Sequence, residues 1–235
     1  MSVAERLAAL DWPALEAGLW ERGWASTPDV LTAEECRELI RAYGDDGLFR
    51  SRVDMARHRF GAGDYKYLGR PLPKLVEQLR VHAYPRLAGI ANGWAQALGS
   101  RERFPPTLGA FLTRCARAGQ TKPTPLLLHY EAGGYNCLHQ DVYGAVGFPF
   151  QIVFFLSRPG EDYDGGEFLL VEQRPRAQSV GEAIVGRRGE LLVFTNRIRP
   201  ARGARGFHRV NVRHGVSRVR SGTRYTLGII FHDAE

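Results

Sequence analysis

The sequence predicts an α+β protein with a mainly β core, in which a helical N-terminal layer buttresses a β-sandwich or β-barrel. Residues 1–123 show helix-like spacing of apolar residues with capping and stop signals, whereas from about residue 124 short apolar runs alternate with Gly, Pro and Asp turns. A chain of 235 residues can bury a substantial core, and no linker or repeat divides it. We therefore predict one domain spanning 1–235, with residues 124–235 as its β core.

The helical prediction rests on start and stop signals in the first half of the chain. Gly23 interrupts the first amphipathic pattern and marks a helix end. Thr32 and Glu35 form a capping box, which opens the next helix. Pro73 starts a longer helical segment, and Pro85 is expected to kink or end it.

The strand prediction rests on short runs rich in Val, Ile, Leu and Phe, separated by turn signals. No helix-length periodic segment lies between them, which counts against a parallel βαβ sheet. The predicted strands cover residues 125–130, 150–156, 167–171, 190–195 and 224–231.

The cysteine content and the hydropathy pattern indicate a cytoplasmic protein with no membrane association. Cys36, Cys115 and Cys137 are widely spaced and odd in number, which argues against a disulfide framework. The N-terminus has acidic residues inside its only apolar run and lacks the basic region of a signal peptide. No uncharged stretch approaches the roughly 18 residues that span a bilayer.

The formal net charge of +7 bears on the choice of partner. A basic surface attracts nucleic acid, anionic lipid or small anionic substrates through its summed field. The same charge is equally expected of an arginine-rich protein whose basic residues lie on a solvated surface and bind no partner. Net charge alone therefore leaves the partner open.

The segment HYEAGGYNCLHQD contains a candidate pair of metal ligands, His139 and Asp141. In extended backbone, residues i and i+2 point to the same face, so this imidazole and this carboxylate can converge on one ion. His214 is the favoured third ligand, and His208 is the alternative. Two histidines and one carboxylate that leave open positions are the ligand set of non-haem Fe(II) oxygenases.

Arg224 stands at the start of the apolar run RYTLGIIF, ten residues after His214. An arginine that enters a buried strand is costly without an anionic partner. The dicarboxylate 2-oxoglutarate would supply one, because a guanidinium can bind a carboxylate through two hydrogen bonds.

The order of HxD, a long interval, His, and Arg about ten residues later resembles the Fe(II)/2-oxoglutarate-dependent dioxygenases. The resemblance covers residues 124–235 and includes the turn and strand GGEF at 165–168. It implies a double-stranded β-helix (jelly-roll) fold, with Fe(II), 2-oxoglutarate and O₂ as cofactor and cosubstrates. By that resemblance His139, Asp141 and His214 bind the metal, and Arg224 binds 2-oxoglutarate.

A narrower resemblance connects the chain to AlkB-type enzymes. The segment RHGVSRVRSGTRYTLGIIFHDA is similar to a bacterial group of oxygenases that act on alkylated DNA. Tyr130 matches a tyrosine that often hydrogen-bonds the cosubstrate in AlkB-type members. Two positions depart from that pattern: Leu128 stands where those enzymes have Asn, and Ile230 replaces a second arginine.

Two basic segments are candidates for contact with nucleic acid. The segment from Arg197 to Arg224, both included, contains nine arginines and no acid, and of these we predict Arg202, Arg205 and Arg209 as substrate contacts. The segment 49–67 combines arginines and aromatic residues with the Gly-rich irregularity of a loop. Arginines bind phosphates and aromatic rings stack on bases, although a solvated surface of an arginine-rich protein would show the same composition.

The favoured function is therefore oxidative demethylation of alkylated bases in DNA by an Fe(II)/2-oxoglutarate-dependent dioxygenase. One alternative is a hydroxylase of a protein side chain or a small metabolite. A second alternative is a non-catalytic, cupin-like binding or sensor protein that keeps only the barrel. The complete set of candidate ligands argues against this alternative.

Overall fold

Five α-helices among the described residues form one layer of the protein. The computed structural model describes residues 1–174, 176–204 and 206–235. The capping box is confirmed, since Thr32 Oγ1 accepts a hydrogen bond from Glu35 N and the Glu35 carboxylate accepts one from Thr32 N. Pro85 lies inside a continuous helix and does not end it. The helices are α1 (Val3–Ala8), α2 (Trp12–Arg22), α3 (Ala33–Ala42), α4 (Lys74–Ala97) and α5 (Leu108–Arg117).

The prediction that residues 1–123 are helical is wrong for four strands in that segment. These strands are β1 (Trp24–Asp29), β2 (Phe49–Asp54), β3 (Gly61–Ala62) and β4 (Asp64–Leu68). Segment 49–67, predicted as an irregular loop, consists largely of the antiparallel pair β2 and β4. The hydrogen-bond partners of β1, β3 and β4 include strands far downstream in the chain, so local periodicity carries no sign of them.

The remaining strands confirm each of the five predicted apolar runs. They are β5 (Leu126–Glu131), β6 (Tyr135–His139), β7 (Phe150–Phe155), β8 (Tyr163–Gly165), β9 (Phe168–Gln173), β10 (Val180–Ile184), β11 (Glu190–Thr195), β12 (Ile198–Gly203), β13 (Gly206–Val216) and β14 (Val219–Ile230).

The strands form two antiparallel sheets. The first has the order β1-β11-β7-β14-β5-β4-β2, with β8 beside β14. The second has the order β10-β9-β13-β6-β3, with β12 beside β13. The protein is thus a mixed α and β structure dominated by β-sheet.

The alternation of side chains along β7 explains how the layers stack. Phe150, Ile152 and Phe154 belong to the core shared with the helices, whereas Val153 and Phe155 pack against residues of the second sheet. The first sheet is therefore covered on both faces, which is why β7 is an almost uninterrupted apolar run. Among the described residues, no helix combines the length and apolarity needed to cross a bilayer.

Candidate active site

The two histidines of the predicted ligand set lie opposite each other on neighbouring strands of the second sheet. His139 ends β6, and its direct partner on β13 is His214, with ring centroids 4.2 Å apart. Asp141 follows two residues later, 3.6 Å from His139 Nε2 through Oδ1 and 3.3 Å from His214 Nε2 through Oδ2. One possible ligand atom from each of the three residues lies within 4.8 Å of the others. The structure therefore brings together the three residues predicted from the sequence.

The orientation of His139 suits metal binding. Its Nδ1 lies 2.7 Å from the carbonyl oxygen of Cys137. Because a carbonyl oxygen only accepts, Nδ1 carries the proton, and the lone pair of Nε2 points towards Asp141 and His214. Burial lowers the pKa of His214, which favours the neutral form that a metal ligand requires.

Asp141 is held by four hydrogen bonds that the sequence did not predict. Tyr143 Oη donates to Oδ1 at 2.8 Å, and Gln151 Nε2 donates to Oδ2 at 2.9 Å. The amide of Asn196 accepts from Asp141 N at 2.8 Å and donates to its carbonyl oxygen. Burial alone would raise the pKa of Asp141, but its interactions with His214, His139 and Gln151 hold this pKa well below its ordinary value. The carboxylate is thus ionised and fixed in direction.

Arg224 is a buried cation that has no hydrogen-bonding partner in the part of the chain that the structure describes. Its side chain is 1% exposed, and Nε, Nη1 and Nη2 have no hydrogen-bond acceptor among the described residues. Aromatic rings surround the guanidinium, whose central carbon lies 5.6 Å from the ring of Tyr130, 5.8 Å from that of Phe155 and 5.9 Å from that of Tyr163. An isolated buried charge costs several kcal/mol, so this environment favours the binding of an anion beside the guanidinium.

The close approach of Arg224 to the GGEF turn explains the second glycine of that motif. Gly166 adopts a left-handed φ of 61°, and a Cβ at this position would lie 2.8 Å from Arg224 Cδ. A larger residue would strain the backbone and displace the arginine. Gly166 is thus part of the packing that positions the guanidinium.

The three candidate ligands, Arg224 and Tyr130 all line one cavity of about 410 Å³. This volume lies in the usual range of about 300–1,000 Å³ for small-molecule sites. Tyr130 is fully buried and lies directly across the strand pair from Arg224. Leu128 and Ile230, the two departures from the AlkB-type pattern, also line the cavity and make that part of its wall apolar.

Comparison with known proteins identifies the family. Residues 63–234 match the model of the Oxygenase-NA family, described as oxygenases that catalyse oxidative methylation of damaged DNA. The chain belongs to the Oxygenase-NA family. It is also 51% identical over 164 residues to uncharacterized proteins from two strains of Mycobacterium tuberculosis, which covers 70% of this chain and 70% of each relative.

Solved structures with a similar fold are oxygenases. A prolyl-4-hydroxylase from Pseudomonas putida aligns with a TM-score of 0.56 at 18% identity, covering 95% of this chain and 99% of that protein. A 2OG-Fe(II) oxygenase family protein from Burkholderia pseudomallei aligns with a TM-score of 0.51 at 18% identity, over 95% and 92% of the two chains. The Oxygenase-NA protein is thus an oxygenase by its family, and it shares its fold with these two solved enzymes.

The alternative ligand His208 lies away from this site. It is exposed on β13, paired with Ala201, six residues before His214. At about 3.3 Å per residue, six residues of strand correspond to roughly 20 Å. The geometry therefore favours His214 over His208.

Of the arginines predicted to contact the substrate, Arg202 and Arg209 are not among the residues that line the cavity. Arg202 and Arg209 lie exposed on the hairpin of β12 and β13, and Arg205 lies outside the described residues. Besides Arg224, the arginine that lines the cavity is Arg59, next to Phe60, among the described residues. Both belong to segment 49–67, which composition had already marked as a candidate.

Tyr143, Gln151 and Asn196 are the site residues that sequence reasoning missed. Only Gln151 left a local signal, because it is the single polar residue in the apolar run FQIVFFL. Its alternation with Ile152 places it on the face of the first sheet that looks towards the second. A lone amide in a buried strand needs a hydrogen-bond partner, and Asp141 provides it.

Proposed function

We propose that this chain is an Fe(II)- and 2-oxoglutarate-dependent dioxygenase that demethylates alkylated bases in DNA by oxidation. The observation that carries the reaction class is that the unpaired guanidinium of Arg224 and the His139–Asp141–His214 group line a single cavity. The choice of DNA rests on the description of the Oxygenase-NA family and on the net charge of +7.

We further propose that the two sheets form a double-stranded β-helix, the jelly-roll barrel, and that residues 1–235 act as one oxygenase domain. The antiparallel pairing of both sheets and the apolar core that they share support this assignment. The cysteines Cys36, Cys115 and Cys137 are all free. Because free thiols persist in reducing compartments, we place the enzyme in the cytoplasm.

Five polar residues of the cavity have a role in this proposal. His139, Asp141 and His214 would hold Fe(II) from one side and leave positions open for ligands. Arg224 would pair with the distal carboxylate of 2-oxoglutarate, with Tyr130 as a hydrogen-bonding neighbour. When bound, Fe(II) with 2-oxoglutarate and O₂ supplies the oxidant that hydroxylates a substrate C–H bond.

The product of that hydroxylation depends on the carbon that is attacked. An N-methyl group becomes an N-hydroxymethyl group. The C–N bond of this group then breaks, its hydroxyl proton passes to the nitrogen, and the carbon leaves as formaldehyde. The apolar wall formed by Leu128, Phe168 and Ile230 would exclude water from the reacting groups. A base can enter such a cavity only when it is unpaired or extruded from the helix.

A hydroxylase of a protein side chain or a metabolite is the second candidate. The observation that favours it is the replacement of two polar AlkB-type residues by Leu128 and Ile230, which leaves fewer groups to hydrogen-bond a base. The basic charge would then serve another anionic substrate.

The test is cosubstrate turnover with matched substrates. Purified enzyme with Fe(II) would receive a methylated oligonucleotide, the same oligonucleotide without the methyl group, or a proline-containing peptide, and succinate and formaldehyde would be measured. The proposal predicts that only the methylated oligonucleotide raises succinate and releases formaldehyde in equal amount. Equal succinate with both oligonucleotides would reject DNA demethylation, and stimulation by the peptide alone would establish the second candidate.

A further inference from the structure

The mouth of the cavity is bordered by exposed apolar side chains. Of the eight large hydrophobic residues exposed among those described, three stand here: Phe60 at 47%, Leu138 at 41% and Val142 at 61% exposure. Leu138 and Val142 flank the candidate ligands His139 and Asp141 in sequence. Apolar residues clustered at the entrance of a site mark a contact surface rather than a solvated one.

One side of this mouth is formed by residues 57–60, which we call the rim loop. The rings of His58 and Phe60 stack with centroids 5.4 Å apart and an interplanar angle of 22°. Arg59 and Phe60 both line the cavity. The loop therefore presents a flat aromatic pair beside the opening that leads to His139 and His214.

The rim loop is anchored to the rest of the protein. Phe60 N donates to the carbonyl of the buried Met55 at 2.9 Å, and its carbonyl accepts from Cys137 N at 2.7 Å. Gly61 follows with a φ of 144°, and a Cβ there would lie 2.2 Å from the carbonyl oxygen of Tyr135. Only glycine permits this close approach, which holds the loop against β6.

The charge of the rim loop is positive and largely uncompensated. Arg57 has an 83% exposed side chain and lies 3.5 Å from Asp54, a surface pair of little energetic weight. Arg59 is exposed and has no carboxylate within 4.0 Å among the described residues. Its backbone adopts a left-handed φ of 60°, which is uncommon for a residue other than glycine.

We propose that the rim loop binds the nucleotide next to the one whose base enters the cavity. The base of that neighbour stacks on Phe60, and its phosphate pairs with Arg59. This inference rests on the proposed function and names the part of the protein that contacts the DNA strand outside the cavity. An exposed aromatic ring beside an unpaired guanidinium complements the base and phosphate of a single strand, whereas an acidic peptide would use the charge but leave the ring face exposed.

The test is the binding of a single-stranded thymidine oligonucleotide, measured by fluorescence anisotropy at several salt concentrations. Phe60→Ala should raise Kd about tenfold, because stacking on one aromatic ring contributes about 1–3 kcal/mol per base. Phe60→Trp should keep wild-type affinity, and Phe60→Leu, which retains apolar area without a flat ring, should behave like alanine. Arg59→Asn suits the left-handed backbone and should reduce the slope of log K against log salt by about 0.7.

Matched controls come from elsewhere on the surface. Phe207 is 43% exposed on the β12 and β13 hairpin, and Arg86 is exposed on α4, which covers the opposite face of the first sheet. Phe207→Ala and Arg86→Gln should leave both affinity and salt slope unchanged. Equal weakening by Phe60→Ala and Phe207→Ala would overturn the assignment, as would full affinity in Phe60→Leu.

The outcomes separate this inference from the proposed function. If a methylated oligonucleotide stimulates succinate and formaldehyde formation while the rim-loop variants bind like wild type, the proposed function stands and the role of the rim loop in binding the neighbouring nucleotide is rejected. If neither the thymidine oligonucleotide nor a methylated one binds, both are wrong.

Discussion

His139 and His214 are separated by 75 positions in the chain, yet they are direct cross-strand partners on β6 and β13, with ring centroids 4.2 Å apart. The pairing register of two strands therefore determines whether the candidate ligands His139, Asp141 and His214 come together. A slip of one residue would turn one imidazole to the other face of the sheet. Asp141 lies only two residues after His139 in the chain, so its position beside the two imidazoles is set locally.

We predict that His214→Ala abolishes tight Fe(II) binding while His208→Ala leaves it intact. Removing one of three ligands should weaken binding by at least about a hundredfold, since loss of a mere supporting hydrogen bond already costs 10–100-fold. Bound metal would be measured on purified variants under anaerobic conditions, with circular dichroism as the control for folding. If His214→Ala kept the metal and His208→Ala lost it, His208 would be the ligand.

The candidate ligand set, whose three residues the structure brings together, could be proposed from sequence because its signals are local. An i, i+2 pair in extended backbone, a histidine, and an arginine entering an apolar run each carry their own physical reason. The groups that hold Asp141 could not be predicted, since Gln151 and Asn196 reach it from strand β7 and from the end of β11. Their roles depend on tertiary pairing, which a single sequence does not display.

The strands of the N-terminal part show the same limit. β1 and β4 lie in a segment with helical signals on both sides, and their partners are β11 and β5. The strand Trp24–Asp29 even contains Pro28, which from sequence alone indicates a break rather than a strand. It lies at the edge of the first sheet, where a proline is tolerated.

We predict that Arg224→Ala raises the apparent KM for 2-oxoglutarate by at least about tenfold. Leaving one partner of a buried ion pair alone costs roughly 2–5 kcal/mol, and about 1.4 kcal/mol corresponds to a factor of ten. Succinate formation at varied 2-oxoglutarate would give KM. Arg220→Ala is the matched control, because Arg220 lies on the same strand but is exposed and pairs with Asp164. An unchanged KM in Arg224→Ala would remove this residue from the cosubstrate site.

We predict that Gln151→Leu and Tyr143→Phe each weaken Fe(II) binding about 10–100-fold, the range found when groups that orient a ligand are removed. Each variant deletes one hydrogen bond to Asp141 and roughly keeps the shape of the side chain. Tyr67→Phe should have a smaller effect, since Tyr67 Oη donates to Tyr143 Oη at 3.0 Å and not to the carboxylate. Metal titration would rank the three variants by their affinity for Fe(II). If Tyr67→Phe bound Fe(II) most weakly, the idea that Gln151 and Tyr143 orient Asp141 would be contradicted.

The last prediction concerns His232, a buried residue outside the metal group. It is 1% exposed, and its Nδ1 accepts a hydrogen bond from Phe148 N at 3.2 Å. Burial lowers the pKa of His232 to about 4 from 6.5. Protonation of Nδ1 would also replace this acceptor by a donor, so the folded state resists the charged form.

Between about pH 6.5 and about pH 4 the unfolded chain therefore binds a proton that the folded chain does not, and the free energy of unfolding falls as pH falls through this window. The contribution of His232 is roughly 3 kcal/mol, from about 1.36 kcal/mol per pKa unit. His232→Asn keeps an acceptor for Phe148 N but does not titrate, so its stability relative to wild type should rise by about that amount from about pH 7 to about pH 4. Urea unfolding at each pH would measure this, with His82→Asn on the exposed side of α4 as the control that should keep the wild-type slope. Parallel curves for wild type and His232→Asn would show that another group causes the acid sensitivity.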